Sequence, residues 1–195
     1  MTLQEILDEI AEKYPHGLSN ASVIRKINQV QNELFRTTFR ERATAIYTLA
    51  KNVFVYTLPI PRTNVDAVLV QGRVYLHQSV EKRSNVPFYY FEGKTGLGIY
   101  PTPTENIVDG LTLFYFRYPA QLSEAALTAV PELDADFHML LVYGALAQIC
   151  EVFQDAGMVN NYTSKYNGLI DEFQKALNKA PNDDRIEDVM GGGWM

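Results

Sequence analysis

The chain has 195 residues, 47% of them hydrophobic and 21% charged, with a formal net charge of −6. This is the balance of a folded protein of one domain, or one domain with an elaborate insertion, and it excludes wholesale disorder. The acidic charge argues against a free-standing DNA binder, which has to neutralise phosphates.

Residues 1–119 hold 13 bases and 11 acids, and residues 120–195 hold 4 and 12, so the two stretches carry +2 and −8. Twelve Tyr and ten Phe beside one Trp supply aromatic area that suits cores and interfaces alike. The single cysteine, Cys150, lies in an apolar helical pattern and reads as a buried thiol in a reducing compartment.

The chain opens on a capping box, Thr2 to Glu5, followed by a helix with Leu3, Ile6, Leu7, Ile10, Ala11 and Tyr14 on one face. It has no basic and apolar leader, so no secretion signal is expected. Pro15 and Gly17 end this helix. A second begins near Ser19 or Asn20 and runs to about Phe39, with Val23, Ile24, Ile27, Val30, Leu34 and Phe35 inward. Arg25, Lys26, Arg36 and Arg40 make its other side basic, either as a solvated face or as a contact surface for an acidic neighbour.

Between residues 44 and 118 the hydrophobic period changes from 3.6 to 2. Strands are predicted at 44–49, 53–58, 67–70, 73–78, 88–91, 98–100 and 111–118, with Gln71 and Gly72 as a tight turn. The last of these is unusual. Leu111, Leu113, Tyr115 and Arg117 point to one side, and Thr112, Phe114, Phe116 and Tyr118 to the other. A strand with one solvated face is polar on that face; here both are apolar or aromatic. Phe114, Phe116 and Tyr118 are therefore candidates for an inter-subunit surface, with burial by the chain's own helices as the competing explanation.

After Leu122 the helical period returns. A helix over 134–154 is apolar nearly all round and so is expected to be buried on most sides. Gly157 is its expected C-cap, and a fourth helix follows over 159–178 with Tyr162, Tyr166, Leu169, Ile170, Phe173 and Leu177 inward. The short link favours an antiparallel pair. Residues 181–195 form an acidic tail in which a triple glycine precedes Trp194 and Met195. Ile186, Val189, Met190, Trp194 and Met195 are its candidate partner-binding residues, an aromatic end on a flexible spacer being suited to a groove.

Motifs for chemistry are weak. Gly93 to Gly96 reads GKTG, but position 88 is Phe where a phosphate loop needs Gly, and a strand follows instead of a helix, so a hairpin turn is expected. Asp134, Asp136 and His138 open a helix, where acids serve as caps, and they do not complete a zinc set. His16 and His77 have no identifiable catalytic neighbour. No cofactor, metal or catalytic residue is expected. The longest apolar run, 139–147, falls short of the roughly 20 residues that span a bilayer, so no membrane partner is expected either.

Four strings in fixed order carry a resemblance: FVYTLPIP (54–61), DAVLVQGRVYL (66–76), GIYPTPTENIVDGLTLFYFRYPAQLS (98–123) and VPELDADFHMLLVYGALAQI (130–149). With a Tyr-rich final helix they cover most of the chain, which resembles the head-to-tail adaptor, or connector, proteins of tailed bacteriophages. The stretch 77–87 and the GGGWM ending have no counterpart in that pattern.

The resemblance implies a structural virion protein, assembled in the host cytoplasm into a ring under the portal protein, with twelve copies the expected number. It implies an extended DNA channel through which double-stranded DNA passes without sequence-specific contact, and a platform for the next neck or tail protein. It brings no catalytic residues. A tail-completion or stopper protein of the neck is the nearest alternative. A glycan- or receptor-binding β module and an enzyme with an unrecognised site are more distant ones.

The fold expected from these readings is α+β. A four-helix bundle-like domain over 1–42 and 120–180 carries an inserted antiparallel β region over 43–119, followed by a docking tail over 181–195.

Overall fold

The computed structural model describes residues 1–80 and 85–178. Residues 181–195, with the candidate partner-binding residues Ile186, Val189, Met190, Trp194 and Met195, lie outside the described residues. The chain forms two compact units, one from Met1–Glu33 with Ala120–Met195 and one from Leu34–Pro119.

The first unit is helical. Helix α1 (Leu3–Lys13) begins at the predicted capping box: Thr2 Oγ1 accepts from the Glu5 amide at 3.3 Å, and a Glu5 carboxylate oxygen accepts from the Thr2 amide at 2.8 Å. Two more first-turn amides, of Leu3 and Gln4, donate to the carbonyls of Ala129 and Leu127, so a loop far away in sequence closes the helix end. Leu3, Ile6, Leu7 and Ile10 are buried.

Helix α2 (Asn20–Thr37) is clamped by a reciprocal pair of bonds. Asn28 Nδ2 donates to the Leu122 carbonyl at 2.8 Å, and the Leu122 amide donates to Asn28 Oδ1 at 2.9 Å. Helix α3 (Met139–Val152) buries Leu140, Leu141, Val142, Ala145, Leu146, Ile149 and Cys150, as its all-round apolar sequence requires. Gly144 lets α2 approach it closely: a Cβ there would lie 2.7 Å from Val30 Cγ1 and 3.0 Å from the Tyr166 ring.

The end of α3 is set by Gln154, not Gly157. Gln154 adopts φ +56°, its amide donates to the Glu151 carbonyl, and the Asp155 amide donates to the Cys150 carbonyl, the bonding of a Schellman stop. Asp155 then caps α4 (Ala156–Asn178) by accepting from the Met158 amide at 3.1 Å. Gly157 lies inside α4.

The second unit is a seven-stranded sheet. Its strands are β1 (Arg42–Leu49), β2 (Val55–Thr57), β3 (Val65–Val70), β4 (Arg73–His77), β5 (Phe88–Glu92), β6 (Gly96–Tyr100) and β7 (Ile107–Phe116), in the spatial order β1-β7-β3-β4-β5-β6-β2. Gln71 and Gly72 take φ of +50° and +75°, the left-handed pair that a two-residue hairpin needs. GKTG is the β5–β6 turn, with Gly93 at φ +62°. Leu49, Tyr56, Val68, Val70, Leu97, Ile99, Leu111 and Leu113 form the unit's own core.

The fold class is α+β, but the expected four-helix bundle with an inserted antiparallel region is not what forms. Among the described residues the chain folds as four helices and a seven-stranded mixed half-barrel sheet, the strands lying between the helices in sequence. Strands β4 and β5 run parallel. Ten residues, 78–87, separate them in sequence, so they are not joined by the tight turn that makes an antiparallel hairpin. The helices differ in role too. A bundle needs comparable apolar stripes around a shared centre, whereas α3 is buried over most of its length and the buried residues of α4 are Tyr162 and Phe173.

Candidate assembly interface

The alternation of β7 places its two faces in different surroundings. Leu111 and Leu113 are buried in the sheet core, with Tyr115 packed against them, while Thr112 and Phe114 lie on the opposite, outer face. Register extends that outer face across four strands. Ile46, Thr112, Leu69 and Val74 form one row over β1, β7, β3 and β4, and Thr44, Phe114 and Ala67 form the next. Leu76 pairs with Phe88, and Phe88 with Tyr100, but Phe88 is buried, so the continuous exposed apolar surface stops at β4. Ile46 is 58% exposed and Val74 and Leu76 are each 66% exposed. A sheet face facing only water would be polar here.

The inner face, by contrast, is sealed. Burial pushes the phenols of Tyr47 and Tyr75 above the usual tyrosine range, as expected where the charged form would lie in an apolar core.

Beyond the end of β7 the basic and aromatic candidates meet. The Arg40 guanidinium lies 3.8 Å from the centroid of the Phe116 ring, close enough for a favourable cation–π contact. Arg36, Arg40, Phe116, Arg117 and Tyr118 line a cleft of about 140 Å³ together with Phe35, Thr63 and Asn64. Buried Asn64 shapes its floor: Nδ2 donates to the Phe116 carbonyl at 2.9 Å, and Oδ1 accepts from the Thr63 hydroxyl at 3.2 Å. Arg117 pairs with Glu41. Phe114 stays on the open sheet face, with the Arg42 guanidinium 6.0 Å from its ring and paired to Asp66.

The other two basic candidates belong to the helical unit. Lys26 Nζ donates to the Gln148 carbonyl at 3.4 Å and so helps tie α2 to α3; Arg25 is exposed. Thr63 and Asn64 carry no sequence signal for this cleft. Arg117 continues the β7 alternation and was legible only as a core-side position, whereas Asn64 reaches the cleft through a 3₁₀ turn, Arg62–Asn64, that no pattern announces.

The residues weighed for chemistry have structural work. Asp134 Oδ1 accepts from the Asp136 amide, and His138 is buried with Nε2 2.9 Å from the Leu133 carbonyl. Burial holds the His138 imidazole below its usual range and pushes the Cys150 thiol up. His77 packs on the rings of Tyr89 and Phe91, with centroid distances of 5.4 and 5.3 Å. Among the described residues no cluster of three His, Cys, Asp or Glu side chains is placed to hold a metal ion, and no helix is long and apolar enough to cross a membrane.

The family model of the SU10 adaptor protein matches residues 1–190, nearly the whole chain. The chain belongs to this family of phage head–tail adaptors. No curated protein matches it. The SU10 adaptor family is a structural one, which agrees with a candidate site built from apolar and charged surface and not from convergent nucleophiles or acids.

In this SU10 adaptor family member the two units differ sharply in charge. Residues 34–119 hold 10 bases and 6 acids, a net +4; the remaining residues hold 7 bases and 17 acids, a net −10.

Proposed function

We propose that the protein is a neck component of the virion that forms a ring beneath the portal, twelve copies being the expected number. The ring extends the DNA channel and presents the platform on which the next neck or tail protein docks. The observation that carries this reading is the apolar outer face of β1, β7, β3 and β4, left exposed among the described residues in a member of a head–tail adaptor family. Exposed surface of this kind is covered when copies associate. The role is structural, with no catalytic step, and assembly takes place in the host cytoplasm.

Double-stranded DNA passes through the ring without sequence-specific contact. The net charge of −6 per copy favours passage over retention, since phosphates are repelled by an acidic wall. In this reading the tail anchors the ring to the portal, with Ile186, Val189, Met190, Trp194 and Met195 as apolar contacts beside the spacer 191–193. Deleting 189–195 is expected to weaken portal binding about tenfold or more, as loss of an aromatic anchor does. Co-sedimentation of the truncated protein with purified portal measures this, and binding at full strength removes the tail from the interface.

A further inference from the structure

We infer that the cleft between Arg36, Arg40 and Phe116 receives the acidic turn around Asp134 and Asp136 of a second copy. The inference rests on the ring reading and names the contact that joins one copy to the next.

The cleft is built for carboxylates. Arg40 lies over Phe116, so its flat face is occupied while its N–H edge remains able to donate. A guanidinium held in this way offers a fixed fork to a carboxylate. Arg36 adds an exposed cation, and Phe116 and Tyr118 supply an aromatic wall. The unit around it is net positive, which favours an acidic occupant over a basic one.

The acidic turn has the complementary form. Buried Pro131 and Leu133 fix the chain, and the Phe137 amide donates to the Asp134 carbonyl at 2.9 Å. Asp134 and Asp136 are exposed, with Val130 nearby in sequence and 59% exposed, a carboxylate pair beside an apolar contact. Four acids of the helical unit have local roles: Glu9 pairs with Lys13, Asp8 accepts from Gln4, Glu5 completes the α1 cap, and Asp155 caps α4. The Asp134 carboxylate accepts from the Asp136 amide of its own turn, which holds the two acids side by side.

Two different patches on one chain make the contact head-to-tail, the type that closes into a ring when the rotation per copy divides a full turn. Like-charged units are kept apart by the same electrostatics, which fixes the direction of assembly.

Full-length protein carrying Arg36→Glu and Arg40→Glu, protein carrying Asp134→Lys and Asp136→Lys, and an equimolar mixture of the two test this by mass photometry at low and high salt. The single variants Arg36→Glu and Asp136→Lys, which leave the Phe116 stacking and the Asp134 cap in place, guard against misfolding. Each charge reversal is expected to raise the concentration for half-assembly about tenfold or more at low salt, with a smaller effect at high salt. A chain bearing all four substitutions, in which both sides are reversed, should regain most of the loss. Normal ring formation by both reversed proteins overturns the cleft assignment alone. So does loss of rings on deleting 183–195 while Asp134→Lys with Asp136→Lys has no effect, which gives the cleft to the tail. Absence of rings from the unaltered protein, with and without portal, overturns the ring reading and the contact with it.

Discussion

Gly144 is the position where helix packing in this protein is most sharply testable. In an ordinary exposed helix Gly→Ala stabilises by about 1 kcal/mol. At Gly144 the added Cβ would meet Val30 Cγ1 at 2.7 Å, Val30 Cγ2 at 2.9 Å and Tyr166 Cε2 at 3.0 Å, against an optimal carbon separation of roughly 3.5–4.0 Å. The neighbours must yield by close to an ångström on two sides, an overpacking that costs about 1–3 kcal/mol. Gly144→Ala is therefore expected to destabilise by about 1 kcal/mol net.

A double-mutant cycle sharpens the point. Val30→Ala alone costs about 2 kcal/mol in lost burial, but it removes both methyls that clash. In that background Gly144→Ala should be neutral or stabilising, a coupling of about 1–2 kcal/mol between the two sites. Urea titrations followed by the helical circular dichroism signal measure both, as shifts in midpoint at constant slope. If Gly144→Ala stabilises the unaltered background by the exposed-helix amount, α2 does not approach α3 as described.

Three further outcomes follow from local geometry. Gln154→Gly relieves the φ of +56° and should stabilise by about 1 kcal/mol, read as a raised melting temperature. Asp155→Ala removes the acceptor for the Met158 amide and should cost about 1 kcal/mol by the same assay. The unfolded chain takes up a proton on His138 near pH 6.5 that the folded chain resists through burial. Its contribution is thus complete above about pH 6.5 and is lost as the pH falls toward the lower folded value; melting temperature against pH should flatten in His138→Gln.

Much of the fold was legible because periodicity reports burial directly. Each of the seven strand segments expected from the alternation contains a strand, and the Thr2 and Glu5 box caps α1 as its spacing requires. What periodicity does not carry is partnership. Nothing in Arg73–His77 or Phe88–Glu92 says that the two strands run parallel. The start of β7 at Ile107, earlier than the expected 111, passes through Asp109 at φ +54° and Gly110, residues that read as punctuation.

The interface was half legible. The two-sided apolar character of residues 111–116 was visible as a pattern, and so were Arg36 and Arg40. The cleft they share with Phe116, with Arg40 over its ring, also involves the turn at Arg62–Asn64 and the Asn64 bond to the Phe116 carbonyl, contacts between segments far apart in sequence.

The central claim is that the exposed sheet face and the charged cleft are satisfied by assembly. Electron microscopy of the purified full-length protein mixed with the portal protein tests it most directly. The account predicts closed rings of one copy number, coaxial with the portal and open at the centre. Particles that remain single copies at every concentration, with the portal bare, would contradict it.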